Sequence, residues 1–156
     1  MEKLDKNFAD FLKLLKRHRV EYLVVGGYAV GFHGFVRATG DLDIFIRISE
    51  KNAKAIVSAF KQFGFTDPGL SKEIFLEPGK IVRIGIPPLR IEVLNKISGV
   101  AFDACFRKRI TSNIDGLRVC FIDRESLLKN KKAAGRLKDL ADVEALTPRK
   151  NLRKEQ

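Results

Sequence analysis

An α+β chain of α/β character, with a mixed β-sheet flanked by helices, is what this sequence predicts, and three observations predict it. Apolar residues recur at helical spacing over 3–18 and 49–63. Strict alternation of apolar and polar residues marks 41–48 and 89–94 as strands. The segments follow one another as α-β-α-β-α-β-β-β-α-β-α, which interleaves helices with strands. A length of 156 residues suits one domain, 1–156, with its core at about 20–146 and a basic tail at 148–156.

In chain order, Leu4, Phe8, Phe11, Leu12 and Leu15 make one buried stripe on the first helix. Val20–Val25 is a short β-rich run. Gly26-Gly27 is expected to break it, with a short helix over 28–34. In 41–48, Leu42, Ile44, Ile46 and Ile48 point one way; Asp41, Asp43, Phe45 and Arg47 point the other. Ser49 and Asn52 are candidate caps for a helix whose stripe is Ala55, Ile56, Ala59, Phe60 and Phe63, closed by Gly64. Strands are expected at 73–77, 81–86 and 89–94, separated by Pro78-Gly79 and Pro87-Pro88. A helix at 101–108, a strand at 117–122 and one or two helices over 124–146 complete the chain.

Thirty basic against nineteen acidic residues leave a net charge of +11. That excess attracts polyanions, whether a nucleoside triphosphate, RNA, DNA or an acidic protein, without choosing among them. Cys105 and Cys120 lack any CxxC spacing, so a zinc site or disulfide framework is not expected and both read as small core residues. No run approaches the roughly 20 apolar residues of a membrane span. Residues 1–19 lack the apolar stretch of a signal peptide, so the expectation is a cytoplasmic protein with no membrane partner.

Asp41 and Asp43 stand two apart in a strand, so their side chains share a face with Cα atoms about 6.5–7 Å apart. Such a pair at the opening of a buried strand is costly unless a cation or donors neutralise it. In 89–94, Arg90, Glu92 and Leu94 face together. If that strand lies beside 41–48, Glu92 sits about 4.8 Å across from the aspartates. Three carboxylates on one face form an oxygen-only site suited to Mg²⁺, two ions being expected and Mn²⁺ a possible substitute. The Gly26-Gly27 turn adds close backbone approach at a helix start, which favours a phosphate.

The combination resembles the polymerase-beta-like nucleotidyltransferase superfamily. The stretch Gly26-Gly27-Tyr28-Ala29-Val30, His33-Gly34, then Arg37-Ala38-Thr39-Gly40-Asp41-Leu42-Asp43 is similar to its compact stand-alone branch, some of whose members are toxins of toxin–antitoxin pairs. The resemblance continues through Arg90–Leu94 and Ile97–Val100 to Asn130–Asp142, so it spans roughly 20–146. It implies the nucleotidyltransferase fold and transfer of a nucleotide from an NTP, with ATP the expected donor. The acceptor is left open among tRNA, protein and small molecules, and an antitoxin-like partner is implied. It also implies that Asp41, Asp43 and Glu92 are catalytic and bind metal, with Glu92 a base toward the acceptor hydroxyl. Gly26, Gly27, Arg37, Thr39 and Lys131 are implied to bind the nucleotide. Two features depart from the pattern. Gly27 stands where many members have Ser, and the third acid is Glu rather than the commoner Asp.

Other residues have plainer readings. His33 is read as a packing histidine rather than a group at the site mouth. The basic run Lys129, Lys131, Lys132, Arg136 and Lys138 suits a solvated helix face. Asp139 and Asp142 are three apart on one helix face, as partners of Lys or Arg or as surface ion pairs. Arg107-Lys108-Arg109 faces an RNA acceptor or solvent. A dinucleotide fingerprint needs Gly-x-Gly-x-x-Gly, but the spacing here is Gly-Gly-x-x-x-Gly-x-x-Gly; a P-loop is absent. A non-catalytic module binding nucleotide or RNA on the same fold remains the alternative.

Overall fold

A computed structural model describes residues 4–86 and 89–148. Its elements are α1 (Lys6–Arg17), β1 (Tyr22–Val25), α2 (Gly26–Phe32), β2 (Asp41–Ile46), α3 (Glu50–Phe63), α4 (Lys72–Leu76), β3 (Ile81–Ile84), β4 (Arg90–Leu94), α5 (Phe102–Arg107), β5 (Ile110–Ile114), β6 (Leu117–Phe121), α6 (Arg124–Ala134) and α7 (Leu137–Leu146). Six strands form one mixed sheet in the order β3-β4-β2-β1-β6-β5. β1 pairs antiparallel with β2 and parallel with β6, while β2 runs parallel to β4. The outer pairs, β3 with β4 and β5 with β6, are antiparallel. This is the mixed α+β architecture that the sequence predicts.

The core lies where the stripe of α1 meets α3 and the sheet. Phe8, Phe11, Leu12 and Leu15 of α1 are buried, as are Ile56, Ala59 and Phe60 of α3. Phe11 meets Phe60 and Phe63 edge-on, at 5.4 and 5.3 Å between ring centroids. Central strand β1 is buried at every position, as a strand covered on both faces must be. In β2, Leu42, Ile44 and Ile46 are buried on one face. Phe45 is buried on the other, edge-on to Phe102 of α5. These branched and aromatic anchors hold Asp41 and Asp43 at the strand's opening.

Asp5 caps α1 by accepting from the Asn7 N–H, and Ser49 caps α3 by accepting from the Asn52 N–H. Asn52 itself lies inside the helix, buried, with its side chain spent on backbone. Its Oδ1 accepts from the Glu21 N–H at 2.8 Å, and its Nδ2 donates to the carbonyls of Glu21 at 3.1 Å and Arg47 at 2.9 Å. It thereby ties α3 to the entry of β1 and the exit of β2.

Several expectations are corrected. Residues 73–76 belong to helix α4, with Glu77 its C-cap, and do not form a strand; Phe75 stacks on Phe60 while Glu73 stays outside. A short apolar run cannot specify its own period, and packing decided it. Gly26-Gly27 ends β1 as expected, but the pair itself forms the first turn of α2, which therefore starts two residues before the expected 28. Ile48 lies beyond β2 and is exposed. Strand β5 is additional: its Ile-Thr-Ser-Asn-Ile sequence is too polar to stand out, yet it pairs in full with β6. The intervening Asp115-Gly116 turn has positive φ at both residues, 50° and 81°, and Asp-Gly is a strong hairpin signal. Residues 124–146 divide into α6 and α7 at Gly135. Cys105 is buried and Cys120 half-buried, both free. The Pro87-Pro88 turn and positions 149–156 of the basic tail lie outside the described residues. Among the described residues no helix is long and apolar enough to cross a membrane.

Asn52→Ala should cost about 2–3 kcal/mol, because the backbone groups of Glu21 and Arg47 lose their partners. Urea unfolding of the variant checks this; a loss below about 0.5 kcal/mol would show that water replaces the side chain.

Candidate active site

The parallel pairing of β2 and β4 sets Asp43 opposite Glu92 and Asp41 opposite Arg90. The three acids therefore stand on one face of adjacent strands, with Asp41 one pleat from the facing pair. They form the floor of a cleft of about 880 Å³, walled by Gly26, Gly27, Arg37 and Thr39 on one side and by residues of β3, α6 and α7 on the others.

Crowding shows in the proton affinity of Asp43, whose carboxyl is pushed up to about 7. Burial contributes most, followed by repulsion from Glu92 and then Asp41; Lys131 and Lys138 oppose it without prevailing. An oxygen-only set under mutual repulsion is chemically suited to a divalent cation, which would relieve both. In this conformation, however, among the described residues no group of three or more His, Cys, Asp or Glu side chains is gathered to hold an ion. Two guanidinium groups pair with Asp41 and Glu92 instead. Arg90 Nη2 lies 3.0 Å from Asp41 Oδ2 and 3.3 Å from Glu92 Oε1. Arg83 Nε, reaching across from β3, lies 3.0 Å from Glu92 Oε1.

The glycine pair has a steric reason for its composition. Gly26 has φ +66°, and a Cβ there would lie 2.1 Å from Asp43 Oδ2. Gly27 faces Thr39, whose Oγ1 would be 2.5 Å from an added Cβ. Asp43 and Thr39 thus occupy the space that larger residues at these positions would need. A hydroxyl, that of Thr39, therefore lies beside Gly27 even though the residue itself is not Ser.

Arg37 and Lys131 line the cleft, but their charges are held inside the protein. Arg37 grips Asp142 with Nε and Nη2, both at 2.9 Å. Lys131 is buried, its Nζ 3.2 Å from Asp139 and 3.1 Å from Asp142. Arg136 adds a 2.7 Å contact to Asp139. Asp139 and Asp142 are not surface ion pairs: both are fully buried. Burial alone would raise their proton affinity, but hydrogen bonds from Arg136 and Lys131 to Asp139, and from Arg37 and Lys131 to Asp142, lower it below the usual carboxylate range. The cluster fastens α6, α7 and the loop before β2 to one another.

His33 lies outside the cleft; its Nε2 is 2.7 Å from the Ile122 carbonyl, the packing role read from the sequence. Lys108 pairs with Glu125, and Arg107 with Asp103. Arg109 lies over the Phe106 ring at 4.0 Å. Arg83 carried no signal in the sequence, Arg90 was given no role in the site, and Arg136 and Lys138 were read as part of a solvated helix face, although all four line the cleft. For Arg90 a signal existed: it alternates onto the same face as Glu92.

No protein-family model matches this sequence, and no curated protein matches it. Solved structures do match. The lincosamide antibiotic adenylyltransferase LnuA, solved with lincomycin bound, superposes with a TM-score of 0.56 at 13% identity, covering 94% of this chain and 98% of that one. A Thermotoga maritima protein assigned to the nucleotidyltransferases gives 0.56 at 17% identity over 94% and 91%. An antigenic nucleotidyltransferase-like protein from Paracoccidioides brasiliensis gives 0.54 at 16% over 88% and 72%. The chain has the nucleotidyltransferase fold. Identities this low carry the fold alone, and the chemistry rests on the cleft just described.

Between about pH 4 and 7 the folded chain holds the Asp43 proton more tightly than the unfolded chain does, so this group's contribution to stability declines as pH rises through that window. Asp43→Asn should therefore stabilise the metal-free protein at pH 8 by about 2–4 kcal/mol, with the gain vanishing near pH 4. Urea unfolding in EDTA at the two pH values measures this; an equal effect at both would contradict the burial-and-repulsion account.

Proposed function

We propose that this protein is a nucleotidyltransferase that moves a nucleoside monophosphate from an NTP, ATP foremost, to an acceptor hydroxyl with release of pyrophosphate. The observation that carries the reading is the register of Asp43 against Glu92, with Asp41 on the same face, at the floor of a cleft bordered by a glycine turn and cationic side chains. Asp41, Asp43 and Glu92 are the residues to hold Mg²⁺ or Mn²⁺. The bound cation supplies charge neutralisation for the triphosphate and polarisation of its phosphoryl oxygens.

The acceptor oxygen forms a bond to the α-phosphorus, and the bond from that phosphorus to the α,β-bridging oxygen breaks, so pyrophosphate leaves. Glu92 is the acid assigned in this reading to receive the acceptor's proton. Gly26 and Gly27 let the triphosphate approach backbone closely, with the Thr39 hydroxyl beside them. Lys131 and Arg37 act on the nucleotide mainly by fixing the wall it meets, while Arg136 and Lys138 offer charge at the cleft surface. The net charge of +11 favours an anionic acceptor such as tRNA, although a protein hydroxyl fits the same chemistry. An acidic antitoxin-like protein is the partner class this charge suits.

Incubation with labelled NTPs, Mg²⁺ and bulk tRNA or cell lysate should transfer label to an acceptor. Asp43→Ala should reduce transfer at least about 10³-fold while circular dichroism stays unchanged. Equal transfer by both proteins would refute the assignment. The guanidinium contacts on Asp41 and Glu92 favour a second reading, a non-catalytic nucleotide-binding module. Tight NTP binding that ignores Mg²⁺, with no turnover, would support that reading instead.

A further inference from the structure

We infer that Arg90 is an exchangeable internal cation of the acid cluster, seated between Asp41 and Glu92 in the metal-free protein and displaced into the cleft when a divalent ion binds. The inference rests on the metal-dependent reading above and goes further by assigning a competitor for the ion's place.

Backbone register puts Arg90 in position. It lies two residues before Glu92 on the same face of β4 and directly opposite Asp41 of β2. A single nitrogen, Nη2, approaches carboxylates on both strands, at 3.0 Å and 3.3 Å. One cationic atom thus bridges two acids across the strand boundary, as a shared metal ion would.

The hold is poor for a guanidinium. Its planar fork is suited to two parallel bonds with one carboxylate. Arg37 shows that geometry on Asp142, with two contacts of 2.9 Å. Arg90 instead leaves its Nε buried with no hydrogen-bond partner among the described residues. A group fixed as a strut would not keep an orphaned donor, which costs stability for as long as it remains. The acid that Arg90 contacts most closely, Asp41, is 32% exposed, whereas Asp142 beneath Arg37 is 2% exposed, so water reaches the Arg90 pair from both sides.

Arginine cannot leave by losing its proton, since its pKa exceeds that of any other side chain. It leaves by rotating about its side-chain bonds. The cleft it then enters is where the triphosphate would lie, so the displaced charge stays useful. Arg83 offers a contrast. It touches Glu92 alone and is 52% exposed, so it screens one acid without bridging two.

Mn²⁺ titration followed by electron paramagnetic resonance tests this directly, with wild type, Arg90→Gln, Arg90→Lys and Asp43→Asn compared. Arg90→Gln should bind Mn²⁺ roughly five- to tenfold more tightly than wild type, and Arg90→Lys should fall between them. Asp43→Asn should lose the site. In wild type, the Arg90 Nε–H resonance should shift on saturation with Mg²⁺, a readout that needs no variant to fold. Unchanged or weaker Mn²⁺ affinity in folded Arg90→Gln, or an Arg90 resonance indifferent to Mg²⁺, would overturn the exchange while leaving an Asp43-dependent metal site standing. If neither wild type nor Arg90→Gln shows Asp43-dependent binding, the exchange and the metal-dependent reading fall together.

Discussion

Electrostatic repulsion among three carboxylates on neighbouring parallel strands is the constraint that the rest of this structure answers. A β-sheet fixes its side chains at intervals the residues cannot negotiate, so Asp41, Asp43 and Glu92 cannot drift apart to lower their energy. The molecule responds in two ways. Arg83 and Arg90 pair with the other two acids, and Asp43, which has no ion pair among the described residues, holds its proton instead, up to about pH 7. A fold that stored such a conflict without using it would gain by replacing one acid with an amide.

A second polar cluster behaves oppositely. Asp139 and Asp142 are more deeply buried than Asp43, yet their proton affinity falls because Lys131, Arg37 and Arg136 meet them at hydrogen-bonding distance. The two clusters sit on facing parts of one cleft. One is fully paired, the other under-compensated. That division suits a site in which the walls must stay and the floor must accept a visitor.

The floor was legible in the sequence, because period-two alternation fixes which residues share a face, and Asp-x-Asp with a later lone acid needed only adjacent strands. Helices α1 and α3 were legible for the parallel reason, since long stripes leave little doubt of period. The short elements were less so. Ile74-Phe75-Leu76 has no period of its own, and α4 exists because Phe75 reaches Phe60. β5 is polar because it is an edge strand with little to bury. The partners of Lys131 and Arg37 were illegible, since a lysine bound for the interior carries the same letter as one on a solvated face. Spacing in α7 hinted that Asp139 and Asp142 share a side but could not say whether that side meets water.

The ion cluster beneath the cleft wall also bears on how this chain can diversify. Four of its charges, Arg37, Lys131, Asp139 and Asp142, come from three separate segments, and all but Arg37 have almost no solvent to fall back on. Removing any one strands another in a medium that cannot hydrate it. Descendants with new acceptor preferences are therefore expected to vary at the rim and along exposed positions such as Leu137. The quartet beneath should change only through coordinated replacements that keep its charges balanced.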